Sequence, residues 1–402
     1  MLIGQKVDFS YKGADYTGTF ISSSDDAITV KLGSGYNITL NRDSFKVIKE
    51  YPPESLEKDS LTEINQECGE DGICILTTGG TIGSSVDYKT GAVKPVKDIS
   101  YLYNFVNNID QFKLYHENIE NMLSENVDAG KWLTFARKAR DAMKKGNSVI
   151  IFHGTDTMQY SASALSFMFE EQTEPVIFTG SQRSSDRPSS DAFLNIEGSI
   201  HFASMEMGEV GISMHTGTSD DSVSLYRGTR TRKMHTSSRN AFISIGEPCM
   251  AKYSNGKVSQ ESYIKKPSEN IVLKDRLDEN VGLIYFYPGM RGEDFYNLSY
   301  NKKAVIIMGT GLGHVSSGIL AVIKKLSKET AFFMASQCIY GNVNMNVYST
   351  GRDLLDAGVI PLGNMLAETA MVKAMYILGN YPDDLNKLMK TNMKGEIEEI
   401  VR

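Results

Sequence analysis

The stretch ILTTGGTIGSSVDYKTGAV, residues 75–93, begins as an apolar run and continues into threonine, glycine and serine. Three threonines and three glycines fall within the seven residues 77–83. Glycines at the end of a strand let a ligand approach the backbone and leave N–H groups free to face an oxyanion, and the threonines are candidate nucleophiles. An ordinary glycine-rich turn is the alternative. A phosphate loop is not indicated, because the stretch does not match GxxxxGK[ST].

The same succession of apolar strand, small-residue turn and helix recurs along the chain. Continuous apolar runs are typical of parallel strands that are covered on both faces. Amphipathic segments such as AGKWLTFARKARDAMKKG separate the runs. The runs themselves are GICILTTGG, SVIIFHGTDT, PVIFTGSQR, VGISMHTG, VGLIYFYPG, AVIIMGTGLG and TAFFMASQCIYG. This alternation predicts an α/β fold with mainly parallel sheets flanked by crossover helices.

The N-terminal part of the chain has a different pattern. Residues 1–52 alternate polar with β-branched or aromatic residues and place Gly, Asn and Asp at the turns, which predicts a small all-β barrel domain. Residues 53–72 are acidic and are predicted to be a linker. A polar, turn-rich stretch near 255–280 indicates a second boundary. It separates an α/β domain over 73–270 from another over 271–402.

The composition indicates a globular protein without membrane-spanning helices. Hydrophobic residues make up 41% and charged residues 23% of the 402 positions. No window approaches the ~18 uninterrupted apolar residues of a membrane-spanning helix. The N-terminus lacks the layout of a secretion signal, and we therefore expect a cytoplasmic protein.

The net charge of −7 argues against binding nucleic acid through a general basic surface. For the N-terminal β domain we expect a docking or spacing role, with RNA binding as the alternative. The four cysteines form no CxxC pair and the six histidines are scattered, so no metal-ligand spacing is evident. Cys74 and Cys338 lie in apolar runs, and we expect both to be small core residues with free thiols.

A second strand end carries hydroxyl and carboxylate groups side by side. HGTDTM, residues 153–158, follows a predicted strand and places Thr155 next to Asp156. Asp156 alone would be explained as the cap of the helix that follows. Ligands bind at the carboxyl ends of strands in open α/β sheets, so the two hydroxyl-rich strand ends are expected in one crevice.

A basic segment, residues 225–242, supplies the candidate base. It contains Arg227, Arg230, Arg232 and Lys233. A solvated basic loop is one interpretation, and a lysine turned inward to act on a hydroxyl is the other. A threonine hydroxyl is too weak an acid to attack without an adjacent base. A set of threonine, lysine and aspartate is therefore the economical prediction, since no Ser–His–Asp arrangement is evident.

These motifs, in their order and at their separations, resemble the L-asparaginase family of amidohydrolases. The motifs are TGGTIG, HGTDTM, TGSQRSSDRPSSDAFLN and RTRKMH, and the resemblance extends from about residue 73 to 390. It implies an asparaginase-like two-domain fold. It also implies hydrolysis of a side-chain amide by a threonine nucleophile through an acyl-enzyme.

The resemblance also assigns site residues. The catalytic set is Thr81, Thr155, Asp156 and Lys233, and which threonine attacks first is left open. Tyr88 corresponds to the mobile-loop tyrosine that contacts the nucleophile, and Ser124 to the family's substrate-binding serine. Glu125 stands where the family often has glutamine, a change that fits binding of a longer amide.

The N-terminal β domain and the linker are not part of ordinary asparaginases. They resemble the D-subunit family of the archaeal glutamyl-tRNA(Gln) amidotransferases, in which an asparaginase-like body carries such an extension. This resemblance implies release of ammonia from glutamine for a partner, the amidotransferase E-subunit, which amidates glutamate charged on tRNA(Gln). It implies no cofactor bound by this chain, ATP and Mg²⁺ at the partner, and a homodimer within a heterotetramer.

Two alternative functions are considered, and they belong to different functional classes. The first is a stand-alone cytoplasmic L-asparaginase, which would not require the first 72 residues. The second is a non-catalytic binding or scaffold protein that kept the fold. Retention of Thr81, Thr155, Asp156 and Lys233 together argues against the second, because binding alone does not need a lysine-activated hydroxyl.

Overall fold

The N-terminal strands form an antiparallel sheet. The computed structural model describes residues 5–32, 37–51, 67–79, 84–86, 93–95, 109–183 and 190–398, so most of the predicted linker lies outside the described residues. The first strands are β1 (Lys6–Tyr11), β2 (Ala14–Ser23), β3 (Ala27–Leu32), β4 (Asn37–Asn41) and β5 (Phe45–Glu50). Their spatial order is β4–β3–β2–β1–β5.

This N-terminal sheet has a core of its own. Alternate side chains face one side of the sheet, and the buried ones are Val7, Phe9, Phe20, Ile28, Val30, Leu40 and Phe45. Lys12 and Gly13 have φ angles of 51° and 83°, which suits a tight hairpin turn between β1 and β2. Among the described residues no strand pairing joins β4 to β5, so the sheet is a half-barrel.

The body of the molecule begins with a larger mixed sheet. The strands that follow are β6 (Ile73–Gly79), β7 (Ser84–Val86), β8 (Val93–Pro95), β9 (Leu114–Met122), β10 (Ser148–Phe152), β11 (Phe169–Glu171), β12 (Val176–Thr179), β13 (Val210–His215), β14 (Ser222–Arg227), β15 (Thr231–Lys233), β16 (Phe242–Ser244), β17 (Ala251–Ser254), β18 (Lys257–Gln260) and β19 (Val272–Leu273). Eight of them form one sheet in the order β18–β17–β14–β13–β12–β10–β6–β9. Neighbours from β13 to β9 are parallel, whereas β14, β17 and β18 are antiparallel.

The apolar runs predicted to be parallel strands are buried on both faces. In β6, Cys74 and Leu76 belong to one core, and Ile73 and Ile75 belong to the core on the opposite face. Side chains alternate between the two faces of a strand, so an uninterrupted apolar run serves two cores at once. The packing confirms the prediction that these uninterrupted apolar runs are parallel strands covered on both faces.

A second, smaller sheet is entirely parallel. It contains β20 (Val281–Tyr285), β21 (Ala304–Gly309), β22 (Ala331–Ser336) and β23 (Ile360–Pro361), in chain order. The helices are α1 (Ala129–Met143), α2 (Met158–Met168), α3 (Ala192–Ala203), α4 (Gly292–Ser299), α5 (Ser317–Leu326), α6 (Ser349–Asp356), α7 (Ala367–Asn380) and α8 (Leu385–Leu388). Helix α7 packs against α2, β20 and β21 and so joins the two sheets through one apolar core. The predicted fold class is confirmed.

The cysteine expectations are wrong in two places. Cys68 and Cys74 form a disulfide with their Cα atoms 5.6 Å apart, because the chain turns back before β6 at Asp71, whose φ is 53°. Cys338 is exposed, since it follows the end of β22 instead of lying within the strand. In the described part of the chain no helix is long and apolar enough to cross a membrane.

Candidate active site

Three predicted catalytic side chains meet at the carboxyl end of the large sheet. Thr155 and Asp156 follow the last residue of β10, and Lys233 is the last residue of β15. The Lys233 Nζ donates to Thr155 Oγ1 and to Asp156 Oδ1, both at 2.8 Å. The Lys233 side chain is only 10% exposed, whereas that of Asp156 is 71% exposed. The structure therefore brings the hydroxyl, the amine and the acid together at this end of the sheet.

This arrangement can move a proton. When Lys233 is charged, its ammonium donates to both neighbouring oxygens. When Lys233 is neutral, its nitrogen can accept the proton of the Thr155 hydroxyl, which lies within hydrogen-bond reach. The Asp156 carboxylate then stabilises the ammonium that forms. The three side chains thus have the chemistry of an activated hydroxyl.

The backbone of Lys233 is held by residues that the sequence did not single out. Gln159 Oε1 accepts from the Lys233 N–H at 2.7 Å, and Gln159 Nε2 donates to Glu368 Oε1 at 3.1 Å. Arg232 Nη1 lies 3.4 Å from Glu368 Oε2. Burial raises the pKa of the Glu368 carboxyl, and the positive charge of Arg232 opposes that shift. Helix α7 therefore supports Lys233 through Gln159, although MLAETAM indicated only a helix.

A buried histidine fixes the backbone that carries Thr155. His153 Nδ1 donates to the Gly154 carbonyl at 2.7 Å, because a carbonyl can only accept. Ser161 Oγ then donates to His153 Nε2 at 2.9 Å and accepts from Trp132 Nε1 at 2.9 Å. Burial lowers the pKa of His153 to about 4. The ring is therefore neutral near pH 7, in a single tautomer that anchors the turn before Thr155.

Ser124 lies next to this turn. It is buried, and its carbonyl accepts from Thr157 Oγ1 at 2.8 Å. Any side chain at Gly154 would place a Cβ 2.5 Å from Ser124 Cβ, so only glycine permits this approach. Glu125 is exposed beside it. The structure thus places Ser124 against the Thr155 loop, with Glu125 next to it in the chain.

Thr81 and Tyr88 lie outside the described residues. The strand that leads to Thr81 is described as far as Gly79, and it lies beside β10 in the sheet. Thr78 Oγ1 donates to the Phe152 carbonyl at 2.9 Å, which ties the ends of the two strands together. Gly79 has a φ of 102°, and a Cβ there would lie 2.3 Å from the Met122 carbonyl oxygen.

The basic segment is not a solvated loop. Arg227 and Arg230 are 8% and 2% exposed, and Arg227 pairs with the carboxylates of Glu209 and Glu247. The inward turn predicted for one lysine is observed at Lys233. Within the described ranges, no group of three or more His, Cys, Asp or Glu side chains could hold a metal ion.

Comparisons with known proteins agree with this architecture. The family model "Asparaginase, N-terminal" matches residues 72–265, and the model "Glutaminase/Asparaginase C-terminal domain" matches residues 280–390. The thermostable L-asparaginase from Thermococcus kodakarensis has a similar structure, with a TM-score of 0.75 and 30% identity over 82% of this chain and 99% of that chain. An L-asparaginase I from Vibrio cholerae gives a TM-score of 0.71 and 29% identity over 82% of this chain and 100% of that chain.

Relatives that match nearly the whole chain have a more specific name. The glutamyl-tRNA(Gln) amidotransferase D-subunit of Thermoplasma volcanium is 47% identical over 98% of this chain and 97% of its own length. The protein of the same name from Sulfolobus acidocaldarius is 41% identical over 99% of this chain and 92% of its own length. These alignments include the N-terminal residues that form the half-barrel. The chain therefore belongs to the D-subunit family of the glutamyl-tRNA(Gln) amidotransferases, whose body consists of the two asparaginase domains.

Proposed function

We propose that the chain hydrolyses the side-chain amide of glutamine and supplies the ammonia that converts Glu-tRNA(Gln) to Gln-tRNA(Gln) on a partner protein. The observation that carries the proposal is the Lys233 ammonium, which joins Thr155 to Asp156 at the carboxyl end of the sheet. The names of the relatives support the choice of glutamine and of a tRNA-dependent amidation.

The first step forms an acyl-enzyme. The Thr81 hydroxyl oxygen attacks the glutamine carboxamide carbon, and its proton passes to Tyr88 or to the Lys233 set. Backbone N–H groups of the glycine-rich turn or near Thr155 hold the oxyanion, and loss of one such donor typically costs ~3 kcal/mol. The carbon–nitrogen bond then breaks, and the leaving group takes a proton to depart as ammonia.

The second step releases glutamate. Thr155 and Lys233 activate a water molecule, which attacks the ester and frees the Thr81 hydroxyl. Asp156 binds the α-ammonium group of the substrate and orients Lys233, in keeping with its exposed carboxylate. The two threonines can also exchange these roles, and the order of attack is left open.

Ser124 and Glu125 complete the substrate site in this proposal. Ser124 lies against the Thr155 loop, and Glu125 offers an exposed carboxylate beside it. A carboxylate pairs with the α-ammonium of an amino acid more strongly than a neutral amide does. Glutamine has one methylene more than asparagine, and we assign to Glu125 the binding of that longer substrate.

Membership of the family supports the assembly that we propose. We assign the partner role to the amidotransferase E-subunit, with ATP and Mg²⁺ bound there and Glu-tRNA(Gln) reached through the complex. The chain itself acts in the cytoplasm as a homodimer within a heterotetramer. Its domains are the β domain 1–52, the linker 53–72, and the α/β domains 73–270 and 271–402.

Ammonia release from glutamine and from asparagine tests the proposal. The rates are measured for the chain alone and for the chain with the E-subunit and Glu-tRNA(Gln). We expect glutamine hydrolysis that the complex stimulates. Efficient asparagine hydrolysis by the chain alone would instead identify a stand-alone asparaginase, and no hydrolysis in any mixture would identify a non-catalytic protein.

A further inference from the structure

A cavity of about 830 Å³ lies away from the candidate active site. Ser166 near the end of α2 lines it, together with residues from the start of β13, the turn after β14 and the segment 392–398. Gln159, on the same helix, contacts Lys233. The seven residues that separate Ser166 from Gln159 span about 10 Å of helix. The cavity is therefore separate from the Thr155 site but joined to it by one helix.

The acidic side chains in the cavity wall already have partners. Arg227 binds both Glu209 and Glu247, and its Nε lies 2.9 Å from Glu247 Oε1. Glu398 Oε2 accepts from Asn364 Nδ2 at 3.2 Å. Three acids of the lining are thus occupied by other groups of the protein.

The buried Arg230 guanidinium forms no ion pair with a carboxylate of the described residues. Its Nη1 donates to the carbonyls of Asn364 and Glu396 at 3.1 and 3.0 Å and lies 3.3 Å from Asn364 Oδ1. In the described part of the chain, no carboxylate lies within 4.0 Å of this guanidinium, and its Nε and Nη2 have no acceptor. Burial lowers the pKa of Arg230. A planar pair of N–H donors therefore remains free beside the cavity, and such a fork matches a carboxylate or a phosphate.

Two ammonium groups reinforce the positive charge. Lys394 Nζ donates to the carbonyls of Phe169 and Glu170 at 2.6 and 2.9 Å, and neither Lys394 nor Lys265 forms an ion pair with a described carboxylate. Burial and, to a lesser extent, the charge of Lys265 lower the pKa of Lys394 to about 8, while the charges of Glu170, Glu396 and Glu171 oppose that shift. Burying a cation without a directly paired anion is costly, so a bound anion would stabilise the ammonium of Lys394, and the half-buried Lys265 would add a second positive charge.

Two glycines pack closely against the buried arginine side chains. Gly246 has a φ of 82°, and a Cβ there would lie 2.2 Å from Arg230 Nη2. Gly395 has a φ of 77°, and a Cβ there would lie 2.6 Å from Arg227 Cδ. Both glycines line the cavity, and side chains at these positions would clash with the arginines. Only glycine at these two positions permits the arginine side chains to lie beside the cavity as they do.

We propose that this cavity binds a small anion that carries a carboxylate or a phosphate group, held by the free edge of Arg230 and by Lys265 and Lys394. Such binding goes beyond glutamine hydrolysis. Arg230, which would bind the anion, lies three residues before Lys233 on the same segment.

Isothermal titration calorimetry with the intact chain tests the proposal. The two probes are inorganic phosphate and citrate, which distinguish a phosphate ligand from a carboxylate ligand. We expect saturable binding of one equivalent of at least one probe, together with a rise in Tm. The Thr155→Ala variant should bind equally well, because binding does not depend on catalysis.

Variants locate the binding. Arg230→Gln and Lys265→Gln should each raise the dissociation constant at least about tenfold, since each removes a charge-assisted contact. Lys257→Gln, an exposed lysine on β18, is the matched control and should bind as the wild type does. If circular dichroism shows that Arg230→Gln does not fold, Lys265→Gln decides the outcome. The proposal is overturned if neither probe binds saturably, or if binding persists unchanged in the folded cavity variants.

Discussion

Lys233 is the residue on which the proposed chemistry depends. Among the described residues, its ammonium donates to both the Thr155 hydroxyl and the Asp156 carboxylate. Lys233→Met keeps the length of the side chain but removes the amine. We expect the rate of ammonia release from glutamine to fall by about 10²–10⁴-fold, the usual contribution of a positioned acid or base. The fall is measured as the steady-state rate of ammonia release by the assembled complex, with Lys257→Met as the control. A loss smaller than threefold would contradict the assigned role of Lys233.

His153 gives a second residue-scale prediction, this time about stability. Its pKa is about 4 in the folded protein and near 6.5 when exposed. The unfolded chain therefore takes up a proton as the pH falls from 6.5 towards 4, while the folded chain does not, and stability is lost over that window. The contribution lost is about 3 kcal/mol, from the size of the pKa shift.

The measurement is urea unfolding at several pH values between 4 and 7. The difference in stability between wild type and His153→Gln should shrink as the pH falls, because the variant cannot bind this proton. His235→Gln, which changes an exposed histidine, is the control. Parallel pH profiles for wild type and His153→Gln would show that the ring is not held neutral.

At the scale of elements, three units meet at Lys233: the end of β15, the first turn of α2 and the first turn of α7. Gln159 links Lys233 to Glu368 by two hydrogen bonds. Glu368→Ala removes the acceptor for Gln159 and leaves the strand end less firmly placed. Small misplacements of a catalytic group are costly, so we expect kcat to fall about 10-fold to 100-fold with little change in KM.

The Glu368→Gln variant distinguishes a role of Glu368 in positioning Lys233 from a role of its negative charge. Glu368→Gln retains an oxygen that accepts from Gln159 and should recover most of the kcat lost in Glu368→Ala. Glu329→Ala changes an exposed glutamate and should leave kcat unchanged. Equal loss in Glu368→Gln and Glu368→Ala would mean that the carboxylate acts through Arg232 and not through Gln159.

Sequence patterns predicted the elements better than the contacts between them. Apolar runs located the strands, because a strand buried on both faces requires such a run, and the runs of β6 and β10 led to the hydroxyl-rich turns. The pairing of Lys233 with Thr155 came from the needs of threonine chemistry and from the family resemblance. No sequence pattern indicated the contacts of Gln159 and Glu368, because a polar residue in an amphipathic helix is typical of a solvated face. The disulfide between Cys68 and Cys74 was missed because its geometry depends on a turn.

For the whole molecule, the N-terminal half-barrel stands out because it has its own apolar core. A unit with a separate core can be removed without opening the core of the body. A shortened chain that begins at Glu67 should therefore keep the circular dichroism spectrum of the body and a Tm within a few degrees. It retains both Cys68 and Cys74. A large loss of Tm would show that the half-barrel supports the body directly.

The proposed function links the Thr155 loop to the activity of the complete assembly. The most direct measurement is the initial rate of ammonia release from glutamine by the complex with the E-subunit and Glu-tRNA(Gln), compared for wild type and Thr155→Ala. Loss of the hydroxyl that Lys233 contacts should abolish ammonia release while the variant remains folded and assembled. Ammonia release by Thr155→Ala at the wild-type rate would contradict amide hydrolysis by this set of side chains.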